Sequence, residues 1–301
     1  MNLRPIAVVG PTATGKSELG VRLALALAGE VINADAMQLY RGMDIGTAKL
    51  PVGQRCGVVH HQLDVLEVTE TASVAAYQRQ ARATVEELLS AGRVPVIVGG
   101  SGLYVRALVD ELDFPGTDAE LRARLQIELA EVGPAELHRR LADADPVAAE
   151  VILPGNGRRI GRALEVSELT GRPFSASMPA VAPPRYGTTL IGVDLEPPTV
   201  DDRVNRRVER MFAGGLVDEV RSLEPRGLRS GATARRALGY RQVLAALDGE
   251  CDLAAAAAAT AQATRRFVRR QRSWFRRDSR ILWLHGERTD LVDAALALAG
   301  T

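Results

Sequence analysis

Eight residues near the start of the chain, Gly10-Pro11-Thr12-Ala13-Thr14-Gly15-Lys16-Ser17, restrict its fold more than any other feature. A glycine, four residues and then Gly-Lys-Ser form a phosphate-binding loop when a strand leads in and a helix leads out. Both flanks fit. Pro5-Ile6-Ala7-Val8-Val9 is a short apolar run of the kind found in buried parallel strands, and Ser17 to Leu27 carries helical apolar spacing. Such a turn aims several backbone N–H groups into one concavity that suits a phosphate or diphosphate. Gly10 through Ser17 are therefore the expected anion-binding set, with Lys16 adding a point charge and Ser17 within reach of Mg²⁺. The loop leaves open whether the phosphate belongs to a nucleotide.

Other apolar runs repeat the arrangement. Glu30 to Ala34 reads as a strand ending at Asp35, and Val94 to Val98 as one ending at Gly99-Gly100-Ser101-Gly102. Thr188 to Val193 and Ile281 to Leu284 complete the set, and Pro95 is tolerable because it sits near a strand start. Strands alternating with helices predict an α/β fold, a P-loop NTPase-like parallel sheet core. Helices are expected over 72–91, 103–109, 200–223, 232–247, 253–277 and 290–299, with 41–57 as a loop. No acidic residue is read as closing a late strand, where a second Mg²⁺ ligand would stand. After Phe114-Pro115-Gly116 the pattern is wholly helical, with breaks at Asp145-Pro146 and Pro154-Gly155-Asn156-Gly157, until Pro173, Pro179, Pro183 and Pro184. The expected organisation is a core over 1–114, an all-helical insertion domain over 115–184, and the rest of the core over 185–301.

The 301 residues are 46% apolar and 25% charged, ordinary values for a soluble globular protein. Cys56 and Cys251 are too few for a disulfide scaffold or a zinc knuckle. With no leader pattern and no long apolar span, a cytoplasmic protein without membrane contact is expected. The net charge is only +1, yet Arg265 to Arg280 holds eight arginines and one acid, Asp278. Arg265, Arg269, Arg272 and Arg276 recur at three or four residues and share a helix face. That face reads either as contact with a nucleic-acid backbone or as a solvated surface whose aromatic residues, Trp274 among them, pack inward. Arg235, Arg236 and Arg241 flank Gly239-Tyr240 and extend the basic patch. Asp35 reads as a proton acceptor or Mg²⁺ ligand, or as the N-cap of a turn through Ala36, Met37 and Gln38; Ser101 reads likewise as a functional hydroxyl or a cap. His60-His61 lack the partners of a metal site and read as loop packing.

Together these segments resemble the tRNA dimethylallyltransferases, in their shorter bacterial form. The resemblance rests on GPTATGKS at 10–17, INADAMQLYRGMDIGTAK at 32–49, PVIVGGSGLY at 95–104, RRIGRALEV at 158–166, LGYRQ at 238–242 and RRFVRRQRSWFR at 265–276. It implies transfer of a dimethylallyl group from dimethylallyl diphosphate to N6 of adenosine 37 in a tRNA anticodon stem-loop, with Mg²⁺; a monomer is expected. By the same resemblance Asp35 is the general base, and Ser101 stands where the family usually has threonine. Lys16 and Arg207 stabilise the leaving diphosphate, with Arg203 and Arg206 close to Arg207 in sequence. The implied tRNA contacts are Asp35, Ala36, Met37, Gln38, Ser101, Arg122, Arg158, Arg159, Ile160, Gly161, Arg162, Arg236, Gly239, Tyr240, Arg241, Arg269, Arg272 and Arg276. The chain departs from the family at Leu153-Pro154-Gly155-Asn156-Gly157, where a His-Pro-Asn-Asp run is usual. A nucleotide kinase with a helical lid shares the loop but explains neither the arginine helix nor Gly239-Tyr240-Arg241.

Overall fold

Alternation in the strand sequences dictates two apolar faces, and the structure, a computed structural model, buries both. It describes residues 3–177 and 182–300, so Pro179 of the proline-rich segment lies outside the described residues. Six parallel strands are ordered β3-β2-β4-β1-β5-β6: β1 (Ile6–Val9), β2 (Glu30–Asn33), β3 (His60–His61), β4 (Pro95–Gly99), β5 (Thr189–Asp194) and β6 (Leu282–His285). Ile6, Val8, Val31, Val96, Val98, Ile191 and Val193 face one side, under α1 (Lys16–Ala26). Ala7, Val9, Ile32, Ile97 and Leu190 face the other, under α2 (Val74–Ser90) and α3 (Gly102–Val109). Side chains buried on both faces are what a parallel sheet demands.

The chain divides into two compact units, Met1–Val109 with Pro184–Thr301, and Asp110–Pro183. The second unit is helical: α4 (Ala119–Ala144), α5 (Pro146–Val151) and α6 (Gly157–Thr170) close on Leu125, Leu137, Leu141, Ile152, Ile160 and Leu164. Asp145 caps α5, its Oδ1 accepting from Ala148 N at 3.0 Å, and Asn156 caps α6, accepting from Arg159 N at 3.3 Å. In the first unit follow α7 (Pro197–Ala213), α8 (Leu216–Leu223), α9 (Tyr240–Leu247), α10 (Leu253–Phe275) and α11 (Leu291–Ala299).

Four expectations are corrected. His60-His61 are not loop packing alone: they form the edge strand β3 against Val31 and Ile32. The single helix expected over 200–223 is two, parted at Gly214-Gly215, where Gly215 takes φ 99°. Over 232–247 a short 3-10 turn at Ala234–Arg236 precedes α9, with Gly239 at φ 89° between them. Within α4, Gly133 leaves helical geometry at φ 80° just before Pro134. In each helix a glycine supplies a backbone state that other residues adopt at a cost.

Candidate active site

The anion loop is built where β1 ends. Gly10 takes φ 134°, and a side chain there would run into the carbonyl of Val193 on β5. Gly15, at φ 96°, leads into α1. Thr14 Oγ1 donates to Pro11 O at 3.0 Å, and Lys16 Nζ donates to the same carbonyl. Burial, with help from the Arg207 charge, pulls the Lys16 pKa down to about 7 against the opposing pull of Asp35 and Asp194. An entering diphosphate would restore its charge. Ser17 is exposed at the N-terminus of α1 and carries no described hydrogen bond from its hydroxyl. A single hydroxyl beside substrate phosphates fits Mg²⁺, which keeps several waters and takes few protein ligands.

Of Arg203, Arg206 and Arg207 on α7, only Arg207 hydrogen-bonds to the loop, donating to Thr12 Oγ1 at 2.8 Å. Arg203 is held by Glu287 at 3.0 Å and Arg206 by Asp202 at 2.8 Å. Burial, then Arg210 and Arg203, lower the pKa of Arg207, so an anion is a favourable partner for it.

Asp35 follows β2, and the structure shows its capping role. Its Oδ1 accepts from Met37 N at 2.9 Å, capping the turn Ala36–Leu39. Burial raises its pKa, outweighing the Met37 amide and the Lys16 charge. Ser101 Oγ accepts from Ala36 N at 3.1 Å, so its hydroxyl braces the Asp35 turn. Gln38 donates its Nε2 to Thr47 O at 3.1 Å, committing half of its amide to the loop ahead. Loop residues Thr12 to Ser17, Asp35, Gln38, Ile45, Thr47, Leu50, Arg207 and Met211 line one cavity of about 620 Å³.

Two side chains missed in the sequence hold the loops around this cavity. Glu219 on α8 accepts from the backbone N–H groups of Asp44, Ile45 and Gly46 at 3.0, 2.7 and 3.1 Å, and from Tyr240 Oη at 2.5 Å. Lys49 donates to Tyr40 O, Asp44 and Asp64 at 2.9, 2.6 and 2.6 Å. A third, Asp194, closes β5, contrary to the expectation that no acid ends a late strand. Its carboxylate is already taken, because Arg272 donates to it twice, at 2.9 and 2.8 Å, and Arg276 once at 3.1 Å. Burial works to raise the Asp194 pKa, but Arg272, the Leu195 amide and Arg276 hold it below the usual range.

The expected RNA contacts divide accordingly. Tyr240 and Ile160 are fully buried, which corrects their side chains as RNA contacts; each packs in a core instead. Arg272 is engaged by Asp194 in this structure. Arg122 and Arg162 both pair with the buried Glu165, at 3.2 and 3.0 Å. Arg269 makes only a long contact, 3.4 Å to Asp201, with its side chain 65% exposed. Arg158, Arg236 and Arg241 are exposed, and Gly161 lies among the arginines of α6. Among the described residues no helix is long and apolar enough to cross a membrane.

The family model for IPP transferase matches residues 38–278. The chain is 65% identical over 298 residues to a tRNA dimethylallyltransferase of Saccharopolyspora erythraea, covering 99% of this chain and 96% of that one. To the enzyme of the same name from Nocardia farcinica it is 62% identical over 296 residues, 98% and 95% of the two chains. The crystal structure of a tRNA isopentenylpyrophosphate transferase from Bacillus halodurans superposes with TM-score 0.73 at 38% identity, covering 99% and 96%. A eukaryotic dimethylallyltransferase acting on tRNA shares the fold, with TM-score 0.82 at 24% identity over 99% and 78%.

Proposed function

This chain belongs to the IPP transferase family, and we propose that it transfers a dimethylallyl group from dimethylallyl diphosphate to N6 of adenosine 37 in tRNA. The observation that carries this reading is the juxtaposition of an anion loop and a half-buried carboxylate, Asp35, in one cavity. A nucleotide kinase shares the loop and can use such a carboxylate; the family match over residues 38–278 sets the two readings apart.

The adenine amino group is a weak nucleophile, because its lone pair is delocalised into the ring. As N6 attacks the allylic carbon of the donor, the C–O bond breaks and its electron pair leaves with diphosphate. Asp35 accepts the N6 proton, and burial raises its pKa above the usual aspartate range, in the direction of a stronger base. The loop amides, Lys16 and Arg207 meet the charge developing on diphosphate. Mg²⁺, held by Ser17 and the phosphates, would supply further charge neutralisation when bound. The base must leave the anticodon stack to enter the cavity. Exposed arginines, Arg158, Arg236, Arg241 and Arg269 among them, hold the RNA backbone. The same reading has the enzyme act as a monomer, in the cytoplasm.

The test supplies protein, Mg²⁺ and an unmodified anticodon stem-loop with either labelled dimethylallyl diphosphate or γ-labelled ATP. Label on the RNA from the prenyl donor alone supports the reading. Label from ATP alone would establish a kinase in its place.

A further inference from the structure

The arginine-rich helix α10 buries one stripe: Ala256, Thr260, Ala263, Val268, Gln271 and Phe275. Five of these are small, apolar or self-satisfied within the helix; Thr260, for instance, bonds back to Ala256 O at 2.8 Å. Gln271 is different. It is a buried amide, 5% exposed, and both of its halves reach off the helix. Its Oε1 accepts from the Thr12 backbone N–H at 2.9 Å, within the anion loop. Its Nε2 donates to Gly100 O at 2.8 Å, in the loop that follows β4. A side chain on Gly100 would strike this amide, and one on Gly102 would strike the indole of Trp274, one turn further along α10. The helix therefore seats directly on the Gly100–Gly102 segment.

That segment matters because Ser101 lies in it, and Ser101 Oγ holds the Ala36 amide next to Asp35. One side chain thus ties the loop that receives the donor to the segment that sets the base. We propose that Gln271 is a positioning residue, which fixes the distance between the donor diphosphate and Asp35 by bridging Thr12 N–H and Gly100 C=O. The inference rests on the transfer reading above. A planar amide fits this role because its donor and acceptor are rigidly paired, so one bond cannot shift without the other. Neither a carboxylate nor an apolar side chain of that length can make both bonds. Reactions between two bound partners are sensitive to such registration, and a misplacement near 1 Å costs about 10²-fold in rate.

The test compares wild type, Gln271→Met and Gln271→Glu. Methionine keeps length and volume while removing both bonds; glutamate keeps the acceptor for Thr12 and loses the donor to Gly100. Single turnover with both substrates saturating separates the two roles open to Gln271. A merely destabilised protein loses reaction amplitude, because fewer molecules are folded, but keeps its rate constant. Loss of positioning lowers the rate constant at full amplitude. We expect both variants to slow the rate constant, Gln271→Met by roughly 10- to 10²-fold, with tRNA affinity in the absence of donor changed less than about threefold. Hydrogen exchange in the anion loop gives a readout that needs no catalysis: the Thr12 amide loses protection in Gln271→Met and keeps it in Gln271→Glu. A wild-type rate constant in Gln271→Met, an amplitude loss alone, or unchanged Thr12 exchange each overturns the proposal and leaves the transfer reading intact. Failure of wild type itself to transfer the prenyl group overturns both.

Discussion

At the residue scale the site divides by what each side chain does to charge. Lys16 is buried enough that its pKa falls to about 7, so its full charge depends on the anion it meets. Lys16→Ala is expected to impair use of the donor far more than binding of tRNA, since the proposed RNA contacts are arginines. Donor half-saturation and single-turnover rate, set beside tRNA affinity without donor, check this; equal losses in both would contradict it. The glycine loop was legible in the sequence because its backbone conformation permits few other residues. Asp35 was legible as a strand-end acid and as the cap of the turn that follows. Gln271 was hidden among eight arginines. Its signal was positional: a polar residue on the apolar stripe of an amphipathic helix needs a buried partner.

At the scale of elements, α10 does two jobs with one run of arginines. Arg272 and Arg276 fasten it to Asp194 at the end of β5, while Arg269 points outward. The Arg272 and Asp194 side chains are only 21% and 8% exposed, so Arg272→Ala leaves a poorly solvated carboxylate to Arg276 and the Leu195 amide alone and should destabilise the protein by roughly 2 kcal/mol. Arg276 is 53% exposed, and Arg276→Ala should cost about 1 kcal/mol or less. Denaturant unfolding of both variants checks the order, and equal losses would contradict it. Because the Asp194 pKa is lowered on folding, its contribution is complete above about pH 4 and is lost as pH falls through the lowered value. The Arg272→Ala penalty should therefore shrink in acid. Charge counting along the sequence found the basic face but not this division, which depends on an acid far off in the chain. Strand β3 was missed for a simpler reason: two residues are too few to show a period.

At the scale of the whole molecule, the alternation of buried strands and amphipathic helices was enough to read a parallel α/β core. The breaks at Gly133, Gly214-Gly215 and Gly239 were not, because helical spacing runs on through them. The basic surface belongs to this scale as well, since the arginines proposed to meet the RNA backbone would act through their number. Arg241→Ala combined with Arg269→Ala should weaken cognate and non-cognate RNA alike and flatten the salt dependence. For single-stranded loops the slope of log affinity against log salt should fall by about 0.7 for each phosphate left without its arginine. An unchanged slope would make these side chains an ordinary solvated face.

The central claim is that one cavity brings an anion loop to a carboxylate that takes the N6 proton, and Asp35→Asn tests it most directly. Single turnover is followed with tRNA and dimethylallyl diphosphate both saturating, across pH. The account predicts a wild-type rate that falls as pH drops through a carboxylate pKa above the ordinary aspartate range. In Asp35→Asn it predicts a rate lower by about 10² or more, tRNA affinity nearly unchanged and that ionisation gone. A near-normal rate in the variant, with the same pH profile, would contradict it.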